Sequence, residues 1–432
     1  MRRNQKPRAG SLLIVSTTNR ALLRVAAFRN LWVGQAISQL GDSLYYLVFL
    51  FMVDRLTGDP KMVGIAGVAQ TLPFLLLSPY AGVLADRADR RRIMLTADVL
   101  SAVTLFLFAI LVWRNPAPPA WTLIATGAIL SCINVFFAPA KSAAIPQVVP
   151  TELLTSANAL SLATQNLMPM LGIALSGTLL GALYLISPGY FFLGAILLNA
   201  LSFAVSALFV ARLPTLIPDR AATELGMVPQ GLQDLREGFR YLQGQTTLLM
   251  MFVLNFLVQF TLAPFMLVYV RVNREWFGGE YWSLAVCEVS FFGGVVLCSV
   301  FIGRLAIRRV GMAFIGGMAA VGITIIFMAV SKTVLLFAFW NFVAGLAFPF
   351  SQIPMTTYTQ RVVPEAFQGR VNSVMAMTSW GVQPLGIALG SLLLAETGPA
   401  GLIALMGSGM TLASLGGLLS RKFRNATLAE TV

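Results

Sequence analysis

The sequence predicts an all-α membrane protein with twelve transmembrane helices in two pseudo-symmetric six-helix bundles. Three observations lead there. Of 432 residues, 57% are hydrophobic and 11% charged, with a mean hydropathy of +0.79; a soluble domain carries about 25% charged residues. Apolar runs near the ~20 residues that a helix needs to cross hydrocarbon recur twelve times. The second half also repeats the first. Leu171-Gly172-Ile173-Ala174-Leu175 returns as Leu385-Gly386-Ile387-Ala388-Leu389, and at the same offset Val149-Pro150 matches Val363-Pro364 and Asn158 matches Asn372.

The spans fall near 29–53, 62–85, 93–113, 120–140, 153–186, 190–211, 248–271, 282–306, 312–330, 333–357, 370–395 and 399–420. Turn chemistry separates them at Thr57-Gly58-Asp59-Pro60, at Asn115-Pro116-Ala117-Pro118-Pro119, at Ser187-Pro188-Gly189 and at Thr397-Gly398-Pro399. The longest polar break divides the chain. The expected organisation is a cytoplasmic tail 1–27, a first bundle 28–211, a linker 212–247, a second bundle 248–420 and a cytoplasmic tail 421–432. Within the linker, 231–243 has the pattern of an amphipathic helix lying on the membrane surface. The apolar run 12–15 is too short for a signal-peptide core.

The net charge of +13 invites a nucleic-acid reading, but the basic residues mark one membrane face rather than a groove. With both termini inside, only Arg55, Lys61, Arg114, Arg271, Arg274 and Lys332 of the 30 Lys and Arg fall outside. That asymmetry orients the chain. There is no histidine, so no Ser-His-Asp triad, His metal site or His relay is available. Cys132, Cys287 and Cys298 lie inside apolar runs and form no CxxC pair. Without clustered carboxylates or a nucleophile–base set, an enzyme is excluded, and no metal or cofactor is expected.

Ionisable groups inside spans are functional candidates, because one acid or base at the centre of a span costs about 2.5–3.5 kcal/mol on insertion scales. Asp42 lies near the middle of span one and Glu288 inside span eight. Asp98 lies near the cytoplasmic end of span three and Glu396 at the outer end of span eleven. Gln35, Gln39, Asp42 and Tyr46 follow i, i+4, i+7, i+11 spacing, one polar stripe on an apolar helix. Asn255 and Gln259 repeat that spacing in span seven, so both faces are expected to line one central cavity. An acid held away from bulk water can exchange a proton as its surroundings change, which supplies a coupling mechanism through Asp42 or Glu288. Two structural alternatives stand beside this. Glu288 pairs with Arg271 or Arg274 in an outer vestibule, and Asp98 pairs with the basic loop between spans two and three. Tyr45, Tyr46, Phe136, Phe137, Phe348, Phe350 and Trp380 are candidates for stacking on an apolar substrate.

Gly82, Asp86, Arg87, Arg90, Arg91 and Arg92 form a short charged loop between spans two and three. It resembles the signature of the major facilitator superfamily, in which Gly, then Asp-Arg, then a basic cluster join those spans. Asp89 departs from it, since Gly is commoner there. Gly303-Arg304-Leu305-Ala306-Ile307-Arg308-Arg309 is a worn second copy. Phe28-Arg29-Asn30-Leu31-Trp32, Gly34-Gln35 and Ser38-Gln39-Leu40-Gly41-Asp42-Ser43 are similar to the bacterial branch of macrolide-efflux proteins and the enterobactin exporter. The resemblance implies parallel halves with a midplane substrate site between them. It implies a monomeric secondary exporter of amphipathic small molecules (drugs, macrolides or siderophores) in the bacterial inner membrane, driven by the proton gradient. The lysophospholipid transporters, a related branch, also place Asp after Gly early in span one, so lipid transport is the alternative. In the superfamily the motif Asp latches onto the start of span eleven, here Asp86 against 368–372. Only Pro169 and Gly172 survive of the antiporter motif Gly-Pro-x-x-Gly-Gly in span five.

Overall fold

The computed structural model describes residues 21–186, 190–217, 227–279, 281–302, 307–364, 367–368, 370–371, 374–375 and 381–427. The chain is helical nearly throughout, and among the described residues the only strand-like pairing is a bridge between Arg309 and Thr427. The first group of helices is α1 (Ala26–Thr57), α2 (Pro60–Arg87), α3 (Arg90–Arg114), α4 (Ala120–Val148), α5 (Leu154–Ile186) and α6 (Phe191–Ala211). Helix α7 (Met227–Gly244) follows, over the stretch expected to lie on the membrane surface. The second group is α8 (Thr246–Leu262), α9 (Phe265–Trp276), α10 (Tyr281–Ile302), α11 (Val310–Met328), α12 (Val334–Ala347), α13 (Pro349–Val362), α14 (Gln383–Gly416) and the short α15 (Arg421–Asn425).

Among the described residues, ten helical stretches are long and apolar enough to cross a membrane. The expected count of twelve is not fully matched: α5 is not among the ten, and spans eleven and twelve form a single stretch. Two other spans are interrupted but still count as one stretch each. Span seven is two helices, α8 and α9, because Pro264 lacks the N–H that would continue the ladder. Span ten is likewise interrupted at Pro349 between α12 and α13. Spans eleven and twelve run together as α14, broken at Gly398 (φ 67°, ψ 179°), a backbone conformation that glycine adopts readily, with Pro399 opening the second arm. Other ends follow ordinary chemistry. Gly58 closes α1 in the left-handed region (φ 64°), and Asp59 caps α2 by accepting from the Lys61 N–H at 2.9 Å.

In the first group α1 packs on α5 and α6, α3 on α4 and α6, and α2 on α4. In the second, α12 packs on α10 and α11, and α14 on α8 and α11. The groups meet along two seams, α2 against α14 and α5 against α10. The first seam is tight because α2 presents glycines: a Cβ on Gly64 would collide with Ser391, and one on Gly67 would stand 3.0 Å from Ile387. Large apolar side chains such as Leu107, Leu208 and Leu335 stay exposed on the outside of the groups. Water would penalise so much apolar surface, whereas hydrocarbon does not. The chain is a multi-pass membrane protein.

Candidate functional site

The polar stripe of α1 meets a matching stripe on α6. Asn199, Ser202 and Ser206 stand at i, i+3 and i+7, and α6 lies close to α1 because Gly41 has no side chain. A Cβ there would collide with Ser202 Oγ and stand 2.6 Å from Asn199 Oδ1. Asn199 Nδ2 donates to Asp42 Oδ1 at 3.3 Å, and Ser202 Oγ donates to Asn199 Oδ1 at 3.0 Å. Further along, Ser206 Oγ donates to Asp98 Oδ2 at 2.7 Å. Asp98 is 1% exposed, so this hydroxyl is its support, not the basic loop expected from sequence. Arg90 and Arg91 of the loop are turned to backbone carbonyls instead, and Arg87 and Arg92 are exposed.

Asp42 opens on a space of about 400 Å³. Its walls include Tyr46 of α1, Gln70 of α2, Asn134 of α4, Pro169 of α5 and Gln383 of α14, so both groups contribute. Tyr45 also lines it, with a hydroxyl that is buried and unpartnered among the described residues. A second space, about 180 Å³, lies within the second group. Glu288 reaches it, with Phe265, Tyr269, Phe291 and Phe348 around and Asn341 opposite. Tyr269 donates its hydroxyl to Asn341 Oδ1 at 2.8 Å. Phe348 is among its walls.

The remaining expected site residues are placed differently. Gln35 is buried with Nε2 unpartnered and Gln39 has Oε1 unpartnered, among the described residues. Neither they nor Asn255 and Gln259 line either space. The stripe therefore divides: Asp42 and Tyr46 border the cavity, while the two glutamines do not.

Glu288 does not pair with Arg271 or Arg274. Those arginines, on α9, reach across to the end of α1. Arg274 Nη1 lies 3.3 Å from Asp54 Oδ2 and 3.0 Å from the Asp54 carbonyl. Arg271 Nη1 lies 3.8 Å from Asp54 Oδ1 and donates to the Gly58 carbonyl at 3.1 Å, while its Nε holds Glu275 at 2.5 Å. Asp54 is 4% exposed. This cluster ties the two groups together on the face opposite the basic loop. Sequence reasoning missed it, because an Asp-Arg pair at the end of an apolar run reads as a simple boundary.

On the basic face, Asp89 caps α3. Its Oδ1 accepts from Arg91 N and from Leu216 N, both at 3.0 Å, and Arg90 N returns a bond to Leu216 O at 3.1 Å. Arg90 donates to the carbonyls of Ala85 and Ala143 at 3.1 and 3.0 Å, and Arg91 to Ala211 at 2.6 Å. The motif thus staples α2, α3, α4 and the chain leaving α6. Arg87 and Arg92 are exposed, Arg92 lying 3.6 Å from Asp89. Around Gly82 an added Cβ would meet nothing within 4 Å among the described residues. Asp86 makes no hydrogen bond or ion pair among them, and the latch expected at 368–372 falls partly outside them, as do Trp380 and most of the second motif copy. Gln368 donates to the Gln360 and Val363 carbonyls. Arg370 is held by α7, 2.9 Å from Glu237, and Tyr241 of α7 stacks on Phe367 at 5.0 Å.

The family model described as Major Facilitator Superfamily matches residues 31–387. Macrolide efflux protein A of Streptococcus pyogenes is 24% identical over 371 residues, covering 84% of this chain and 88% of its own length. The MFS-type transporter YfiS of Bacillus subtilis is 27% identical over 384 residues, covering 84% and 85%. Among solved structures, a bacterial homologue of the iron transporter ferroportin in an inward-facing state superposes with TM-score 0.68 at 14% identity, covering 94% of this chain and 100% of that one. The nucleoside transporter NupG gives 0.67 at 14%, covering 91% and 98%. These two likenesses speak to the fold.

Proposed function

The chain belongs to the major facilitator superfamily, and from that premise we propose that it exports amphipathic small molecules across the bacterial inner membrane in exchange for protons. In this reading the chain works as a monomer with both termini in the cytoplasm, the basic loop faces inward, and the Asp54 cluster faces outward. The two groups of helices are the two bundles of an alternating-access cycle. The observation that carries the reading is Asp42: a carboxyl inside a span, bordering a space shared by both groups, held by an amide rather than a cation. Such an acid responds to whatever enters the cavity. A proton taken up there removes a charge and lets the cavity close; an entering substrate displaces the proton. The similarity to macrolide efflux protein A agrees with export of large amphipathic compounds.

The test is flux in proteoliposomes across a compound panel, with and without a pH gradient. Gradient-driven flux that disappears in Asp42→Asn, with the variant still folded, is expected. Undiminished pH-driven flux in Asp42→Asn would remove the coupling site. Flux of lysophospholipid alone would move the chain to the lipid-transporting branch.

A further inference from the structure

We propose that the groove between α11 and α12 is a binding site for an anionic phospholipid, which lays one acyl chain in the groove and sets its phosphate on Arg308 and Arg309. The inference goes beyond the transport reading and does not depend on what the chain carries. The groove has an apolar lining: Met312, Gly316 and Ala320 of α11, Val343 and Ala347 of α12, and Phe350 of α13. Gly316 is exposed, and among the described residues a Cβ there would meet nothing within 4 Å. Its neighbour Gly317 is buried, and a Cβ there would stand 3.0 Å from Ser351 N, so α11 and α13 close the floor. From Met312 to Ala320 the helix rises about 12 Å, close to half of the ~30 Å hydrocarbon core. The groove therefore fits a chain from one leaflet.

The foot of α11 decides which phospholipid. Arg309 precedes Ala313, Gly316 and Ala320 by four, seven and eleven residues, so it stands on the groove's face of the helix. Its backbone is fastened. Arg309 bridges Thr427, Val310 N donates to the Ala426 carbonyl at 2.9 Å, and buried Phe423 of α15 stands edge-on to Phe314 at 6.0 Å. The side chains of Arg308 and Arg309 stay exposed, and so do those of Arg421, Lys422 and Arg424 on the docked α15. Among the described residues none of the five has an ion pair or a side-chain hydrogen bond. Unanswered cations at the end of an apolar groove call for an anion that carries a chain. Basic groups at a membrane surface attract anionic lipid, and a guanidinium can hold a phosphate by two bonds. A zwitterionic lipid brings its own cation to the same place, and a free phosphate leaves the groove empty. A second copy of this chain, set symmetrically against this face, would bring the same arginines towards each other.

The test is equilibrium binding of radiolabelled dioleoyl phosphatidylglycerol to the purified full-length chain in non-ionic detergent. Unlabelled dioleoyl phosphatidylcholine and glycerol 3-phosphate are the competitors. Saturable binding is expected, displaced by unlabelled phosphatidylglycerol and at least about tenfold less well by either competitor. Arg308→Gln with Arg309→Gln should weaken binding by about tenfold. Gly316→Leu, which puts a side chain into open space rather than into a neighbour, should weaken it several-fold. Arg24→Gln with Arg29→Gln removes two exposed cations near the start of α1 and should leave binding within about twofold of wild type. Equal competition by phosphatidylcholine, full competition by glycerol 3-phosphate, or no saturation would overturn the proposal. So would wild-type binding in the Arg308/Arg309 or Gly316 variant, or an equal loss in the Arg24/Arg29 variant. Absent lipid binding together with a dimer that Gly316→Leu breaks would give the groove to a second copy instead. If a variant does not fold, the competition on the unmodified chain still decides. Binding is read without flux, so failure here leaves the export reading standing, and absent pH-driven flux leaves this site standing.

Discussion

Removing the charge of Asp54 should loosen the two helix groups from each other on their outer side. At 3.3 Å, the Arg274–Asp54 pair has a gross attraction of about 5 kcal/mol at an effective dielectric of 20. Little of that survives as net hold. The Arg274 side chain is 46% exposed and so remains well screened, and burying Asp54 has its own desolvation cost. Arg274 and Arg271 also keep their bonds to the Asp54 and Gly58 carbonyls in Asp54→Asn. A net loss of about 1–2 kcal/mol remains, a factor of about 5–30 in the population open on this side. Spin labels at Lys61→Cys and Thr333→Cys, one on each group, would read it by pulsed electron–electron resonance in a background without Cys132. Asp54→Asn should add a longer-distance population, and Asp54→Asn with Arg274→Gln should add little more than either change alone. A wild-type distance distribution in Asp54→Asn would refute the clamp.

Three further outcomes follow from packing and capping. Gly41→Ala should lower thermal stability by several degrees or abolish folding, because its Cβ collides with Ser202, whereas Gly82→Ala should melt within about a degree of wild type; fluorescence-detected thermal unfolding compares them. Ser206→Ala leaves buried Asp98 without its hydroxyl and should cost about 1–3 kcal/mol, seen as a lowered melting temperature that Ser206→Thr largely restores. Asp89→Gly, which installs the commoner residue of the family motif, should cost about 1 kcal/mol by losing the α3 cap and the bond to Leu216, measurable in the same assay.

Sequence periodicity located the helices well, because apolar length and Gly/Pro punctuation are local properties. It failed where a proline decides between one helix and two: Pro264 and Pro349 interrupt runs whose hydropathy is continuous. Gly398, by contrast, breaks the helix at the turn expected of Thr397-Gly398-Pro399. Asp42 and Glu288 stand out in the sequence because an acid in an apolar run is rare, and each borders a space in the fold. Their surroundings were not legible. Gln39 and Asp42 stand three residues, about 60°, apart round the helix, and which of them looks into the cavity is set by how α1 is rotated against its neighbours, which spacing alone leaves open. The Asn199, Ser202 and Ser206 stripe carried a readable signal, the same periodic polarity as on α1, but serine and asparagine stand out less than a charge. Apart from Glu275, the partners of Arg271 and Arg274 lie more than two hundred positions away, and no local pattern reports them.

The anchoring of the chain between the groups has a mechanical consequence. Leu216 is fastened to the α2–α3 turn by Asp89 and Arg90, and Glu237 and Tyr241 are fastened to the entry of the eleventh span. Moving one helix group away from the other on that face would have to break one of these contacts or draw on the connection between Leu216 and Glu237, which is pinned at both ends.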